Sequence, residues 1–359
     1  MTIDKSKLSP SLLIPPGVSL QEILNTKNMS QKELAIRTGL TTKHLNQIIK
    51  GNKSLTCSTA IKLENALGVP ASFWNTLEAN YSEERLKIQE LKSITQKEFD
   101  CLNLIPHKEL RKFGFIEEKV GSAFLIKELR NFFKINNLLN LSKLANQITF
   151  RKSIKVNRNF YSILAWTRMC EIEASKIEVK EYDVKRINSA LSEIKNIIML
   201  NDINIVIAKL TLIFSKYGIA FKVTRNLAGA PVQGMIRKLS KKVILGLTMN
   251  DKYADAFWFT LIHEIGHLLN SDFGDLFIDL DFSSRELNKK EKQADRFANN
   301  FFIPENKYNS FILKNDFSET GIIKFAKEEN VLPGIVVGRL QREGKIQKNS
   351  HNGLRFKFS

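Results

Sequence analysis

Five residues, His263-Glu264-Ile265-Gly266-His267, form an H-E-x-x-H pattern inside the apolar run 260–269. Side chains four apart on a helix share a face, so His263 and His267 would point the same way and could grip one metal ion. Neutral imidazoles suit Zn²⁺, and a zinc held by three protein ligands keeps a position open for catalysis. Glu264 is placed to take a proton from a water that the metal activates. Glu291 is the natural third ligand. The stretch 291–298 has apolar residues at helical spacing (Ala294, Phe297, Ala298) and would form a second helix packed on the first. Asp295 lies one turn beyond Glu291 on the same face. There it could accept the free ring N–H of a ligating histidine and raise that ligand's basicity.

An H-E-x-x-H pattern alone also describes two ordinary buried or surface histidines. The chain holds only 5 His, two of which fall here, and the downstream Glu291–Asp295 pair makes the metal reading the stronger one. Asp272, Asp275, Asp279 and Asp281 follow without a period and read as a solvated loop.

This part of the chain resembles the ImmA/IrrE family of metallopeptidase domains. The residues that carry the resemblance are Phe257-Trp-Phe-Thr-Leu-Ile-His-Glu-Ile-Gly-His-Leu-Leu269, Glu291-Lys-Gln-Ala-Asp-Arg-Phe-Ala298 and Phe302-Ile-Pro304. The family's second motif usually has Asn where this chain has Asp295, a change that keeps an acceptor. The resemblance implies a zinc-dependent, gluzincin-like site with the roles assigned above.

The elements around the motif must hold it in place. A helix over 205–217, a strand over 219–223 and strands within 228–237 and 242–248 are expected to make a small sheet. The strand directly ahead of the H-E-x-x-H helix could form a cleft rim that pairs with an extended peptide, or be purely structural. After Pro304 the pattern is helical to Glu343, and a tail follows with His351, Arg355 and Lys357. A second electrophile for acyl chemistry is open, with Tyr253, Tyr308 and Arg237 as candidates.

Another set of residues points to nucleic acid. Ser30 is a good N-cap for a helix over 31–38, and Glu33 three residues on completes a capping box. Gly39 ends that helix, Thr41 caps the next over 42–50, and Gly51 stops it. Two short helices joined by a Gly-containing turn make a helix-turn-helix. Ala35 sits where the helices cross, and Leu45 and Ile48 face the core. The second helix then presents Thr42, Lys43, His44, Asn46 and Gln47 to base edges, while Lys50, Lys53 and Ser54 can hold phosphates. Gln31, at a helix N-terminus, is a phosphate-facing position. Pro15-Pro16-Gly17 reads as a stop after a loose arm, then a helix over 18–24. Helices over 58–67 and from 71 to about 85 complete a five-helix unit. From Pro16-Gly17 to Tyr81 this unit resembles the HigA-type branch of the phage-repressor-like helix-turn-helix family. The signatures are Met29-Ser-Gln-Lys-Glu-Leu-Ala35, Gly51-Asn-Lys-Ser54 and Pro70-Ala-Ser-Phe-Trp74. The resemblance implies an operator-binding homodimer, often an antitoxin that represses its own operon.

At 359 residues, two or three domains are expected. The net charge of +18 favours a polyanionic partner. Residues 1–80 hold 9 basic and 5 acidic side chains, so most of the surplus lies elsewhere. From Leu129 to Cys170 there is no acidic residue, but Arg130, Lys134, Lys143, Arg151, Lys152, Lys155, Arg158 and Arg168 are basic. That stretch reads as a further DNA-facing surface, a dock for an acidic partner or a solvated helix face. Helices are expected there over 82–93, 97–104, 125–133, 141–145, 162–176 and 184–200, punctuated by Pro106 and Gly114. The 3 Cys are widely spaced and read as reduced thiols. No apolar run is long enough for a membrane span and no secretory signal is present, so a cytoplasmic location is expected.

The fold expected is mainly α. It comprises a five-helix DNA-binding domain over 1–85, a helical middle segment over 86–200, and an α+β zincin-like domain with a small sheet over 201–359. The function expected is a regulator of a double-stranded DNA operator whose zinc peptidase domain cleaves a toxin or repressor partner. The alternative is a non-proteolytic antitoxin or repressor whose zinc domain senses a signal or binds a protein.

Overall fold

The first helix starts where the sequence suggested a stop. The computed structural model describes residues 13–117, 121–144, 158–239, 241–248, 253–270, 276–278 and 285–358. In it, α1 (Pro16–Thr26) has Pro at its first turn. Proline is pre-set for that position and its missing N–H is no loss there, so Pro15-Pro16-Gly17 opens a helix. Then come α2 (Gln31–Thr38), α3 (Thr42–Ile49), α4 (Cys57–Leu67) and α5 (Ala71–Lys92). The expected break after Arg85 is absent, because no Pro or Gly interrupts 71–92. Leu20, Leu34, Leu45, Leu63 and Trp74 form the core of these five helices.

The chain divides into two compact units, Met1–Phe99 with Lys119–Glu128, and Asp100–Glu118 with Leu129–Ser359. Further along run α6 (Gln96–Leu102), α7 (His107–Lys112), α8 (Ser122–Phe133), α9 (Leu141–Leu144), α10 (Arg158–Ser175), α11 (Ile187–Lys195) and α12 (Ile203–Ser215). The short α7 was not expected, since Pro106 and Gly114 looked like punctuation. Pro106 is its N-cap residue instead.

A mixed sheet follows: β1 (Ile219–Thr224), β2 (Gly234–Leu239), β3 (Lys242–Thr248) and, after α13 (Ala254–Leu269), β4 (Leu276–Ile278). The order is β1-β3-β2-β4. β1 runs parallel to β3, with Ile219 opposite Val243, and β2 is antiparallel to both β3 and β4. The strand just before α13 is therefore central and hydrogen-bonded on both sides. It offers no free edge to a peptide, which corrects the expected cleft rim. The run from Ala228 becomes a strand only at Gly234.

The chain closes with α14 (Arg285–Phe302), α15 (Glu305–Lys314), α16 (Glu319–Glu328) and α17 (Pro333–Arg342). α13 is buried on nearly every side, as expected of a helix apolar all round. It packs on β2, β3, α14 and α17. The tail is not loose. Phe356 O accepts from Ala254 N at 3.0 Å, Phe358 is buried, and Arg355 pairs with buried Asp255 at 2.8 Å. The tail thus clamps the start of α13.

Candidate metal centre and candidate nucleic-acid interface

Gly266, inside the H-E-x-x-H run, is where α14 crosses α13. A Cβ there would lie 3.1 Å from Ala294 Cα and 3.2 Å from the Phe297 ring. The crossing is tight enough that a side chain larger than a methyl would force α14 away, and this close approach carries Glu291 and Asp295 to the two histidines. Glu291 Oε2 stands 3.1 Å from His263 Nε2, and Glu291 Oε1 stands 3.4 Å from His267 Nε2. The two Nε2 atoms are 3.0 Å apart. Ligand atoms of His263, His267 and Glu291 all lie within 4.8 Å of one another.

Asp295 Oδ1 is 2.9 Å from His263 Nδ1. A carboxylate only accepts, so the proton sits on Nδ1 and the Nε2 lone pair of a neutral ring faces His267 and Glu291. Both histidines are buried and Glu291 is half-buried. Desolvation pushes the Glu291 carboxyl up, but the adjacent His263 and His267 rings, when protonated, outweigh it and bring its pKa to about 2. Nitrogen lone pairs and an ionised carboxylate turned on one buried point form a donor set that fits a divalent cation with N and O preference.

Glu264 is fully buried, and its carboxylate lies against the first residue of β2. A Cβ on Gly234 would come within 2.1 Å of Glu264 Oε1. The glycine makes the room this side chain occupies. The sequence alone offered no sign of Gly234, because the two residues are paired only through the sheet.

In the N-terminal unit, Ser30 Oγ accepts from Glu33 N at 3.1 Å, and Thr41 Oγ1 accepts from His44 N at 3.1 Å. The capping box is only half made. Glu33 turns to Arg37 at 2.7 Å, since an i,i+4 cation is within its reach. Gly39 closes α2 in the left-handed region at φ 65°. Leu45 and Ile48 are buried, while Thr42, Lys43, Lys50, Lys53 and Ser54 are exposed and His44, Asn46 and Gln47 are half-buried. Gln47 O accepts from Asn52 N and Lys53 N at 2.9 and 3.1 Å, which ties the Gly51–Ser54 loop to α3. Lys53 Nζ then donates to His44 Nδ1 at 3.3 Å. Desolvation, then Lys53 and Lys62, hold the His44 pKa below its usual value. Gln31 donates from its side chain to Gln21 Oε1 at 3.0 Å, linking α1 to α2.

Residues 20–74 match the helix-turn-helix family model, and residues 244–340 match the peptidase M78 model, described as the IrrE N-terminal-like domain. The chain carries a helix-turn-helix domain ahead of an IrrE-like M78 domain. Among solved structures it is similar to an addiction module antidote protein of a HigA family from Coxiella burnetii. The two are 27% identical over 23% of this chain and 96% of that one, with a TM-score of 0.21. Curated proteins show no match to this chain.

Each of the three candidates for a second electrophile has charged neighbours. Arg237 is paired with Glu171. Tyr308 is buried beneath Arg339, whose guanidinium lies 3.5 Å over its ring. Tyr253 lies under Arg355 and Lys357 of the tail. In the basic stretch, Arg130 is buried and Arg168 is engaged by Phe132 O at 2.7 Å and Glu171 at 2.6 Å. Those two arginines belong to the interior, while Lys134 and Lys143 are exposed. Arg151, Lys152 and Lys155, like Asp272, Asp275, Asp279 and Asp281, lie outside the described residues, as does the side chain of Arg158. His351 stands in the tail. Among the described residues no helix is long and apolar enough to cross a membrane.

Proposed function

We propose that this chain is a DNA-binding regulator whose M78 domain holds Zn²⁺ and hydrolyses a peptide bond in a toxin or repressor protein. The observation that carries the reading is the convergence of His263, His267 and Glu291 within 4.8 Å, with Asp295 behind His263. Zinc bound there would polarise a peptide carbonyl and lower the pKa of water. His263, His267 and Glu291 would hold it, and Asp295 would orient His263. Glu264 would take a proton from water and pass it to the leaving amine.

The DNA reading rests on α3. Thr42, Lys43, His44, Asn46 and Gln47 would meet base edges in the major groove, and Lys50, Lys53, Ser54 and the α2 start at Gln31 would meet phosphates. A homodimer on a two-fold operator belongs to the same reading. In this reading residues 1–85 read DNA, 86–200 join, and 201–359 cut. The test is metal analysis together with a cleavage assay on a peptide library. Wild-type protein should hold one zinc per chain and cut, and His263→Ala should do neither. A His263→Ala variant with full zinc content would place the metal elsewhere.

A further inference from the structure

One turn from the candidate ligands lies a cavity of about 370 Å³. It shares elements with the metal centre. Phe259 on α13 precedes His263 by one turn, with ring centroids 6.0 Å apart, and Asn299 on α14 follows Asp295 by one turn. Phe302, Ile303 and Ile335 give the cavity apolar walls, while Arg339, Arg342, Lys348 and Arg355 bring positive charge.

These four cations are not equivalent. Arg355 is neutralised by Asp255 at 2.8 Å. Arg339 donates to Glu343 at 3.0 Å and to Ile303 O at 3.2 Å. Among the described residues, neither Arg342 nor Lys348 has a carboxylate within 4.0 Å. The Arg342 guanidinium lies 3.3 Å over the Phe259 ring and makes one long hydrogen bond, 3.4 Å, to Asn299 Oδ1. Asp295, Asp255 and Glu343 act on Arg342 only at longer range, and Asp255, which also lines the cavity, is held by Arg355. Arg342 and Lys348 therefore stand, without a carboxylate in ion-pair contact, at a cavity large enough for a small molecule.

We propose that this cavity binds a small organic anion, a carboxylate or phosphate monoester carried on an apolar body. The anion would meet Arg342 and Lys348, and its body would lie among Phe259, Phe302 and Ile335. A guanidinium held flat on an aromatic ring keeps its N–H edge for a planar or tetrahedral oxyanion. The apolar walls explain why a bare inorganic ion would use only part of the site. This site is independent of the zinc reading, since none of the three metal ligands lines the cavity.

The experiment is calorimetric titration of the full chain with benzoate, phenyl phosphate, benzamide and inorganic phosphate. Benzoate or phenyl phosphate should bind saturably, the tighter one naming the head group, while neutral benzamide and inorganic phosphate bind at least about tenfold more weakly. Arg342→Gln and Lys348→Gln should each weaken binding about tenfold, the worth of one charge-assisted hydrogen bond, and should keep the parent Tm. His263→Ala should bind the anion unchanged. The proposal is overturned by benzamide binding as well as benzoate, by unchanged affinity in both charge variants, by loss of binding in His263→Ala, or by no saturable binding of any probe at millimolar concentration.

Discussion

Asp295 Oδ1 meets His263 Nδ1 at 2.9 Å, a contact from α14 to α13 that turns the other ring nitrogen of His263 towards His267 and Glu291. If this contact sets the ligand's tautomer, Asp295→Ala should lower zinc affinity about 10–100-fold while leaving the fold intact. Competition with a chelator of known affinity measures it. Equal affinities in the two proteins would make Asp295 a surface residue that touches the site by chance.

Glu264→Gln keeps the shape of the side chain and removes its basicity. The variant should retain zinc but lose cleavage by about 10²–10⁴-fold, the usual worth of a positioned proton carrier. Metal content and peptide turnover are read on the same sample. A metal-loaded variant that still cuts at the parent rate rules Glu264 out as the base.

Gly266 tests the helix crossing. Alanine there gains roughly 1 kcal/mol of helix propensity, which offsets its contact with Ala294. Valine adds two more carbon atoms to a filled crossing and should cost about 1–3 kcal/mol. Gly266→Val should therefore lose both stability and zinc, and Gly266→Ala neither. Urea unfolding and metal analysis decide. A valine variant with parent stability would mean that α14 does not press on Gly266.

On the DNA side, Gln47→Ala should weaken operator binding by about 1–3 kcal/mol and relax specificity at one position. Exposed Lys50→Ala should weaken binding to every sequence alike and reduce the salt slope by about 1. Binding isotherms at several salt concentrations separate the two effects. Neither variant changing affinity would remove α3 from the groove.

Asp255 is buried, and desolvation raises its pKa although Arg355 pulls it down. A raised folded value means that the native state holds more protons than the unfolded chain, so the ionised carboxylate costs stability and the cost grows as pH rises. Arg355→Ala leaves that charge without its ion-pair partner and should cost about 3 kcal/mol near pH 8, and less as the solution is made acid and Asp255 takes up a proton. Denaturant unfolding across that range measures the difference. A loss independent of pH would reduce the tail contact to packing.

Much of this could be read along the chain because it depends on local periods. The i,i+4 histidines, the Glu291–Asp295 turn, the Ser30 and Thr41 caps and the left-handed Gly39 each follow from neighbours within a few residues. The order of strands does not. That β3 is an inner strand depends on its parallel pairing with β1, which skips over β2 in the chain.

By itself, the sequence determined which residues share a helix face and which side chains could ligate, carry a proton or read a base. Only the tertiary structure decided that Gly266 admits α14, that Gly234 makes room for Glu264, that Arg355 of the tail neutralises Asp255, and that Arg342 lies over the Phe259 ring. The physical reason is range. Helix periodicity acts over one or two turns, whereas these relationships join residues 28 to 100 positions apart, and only packing of the core brings them into contact.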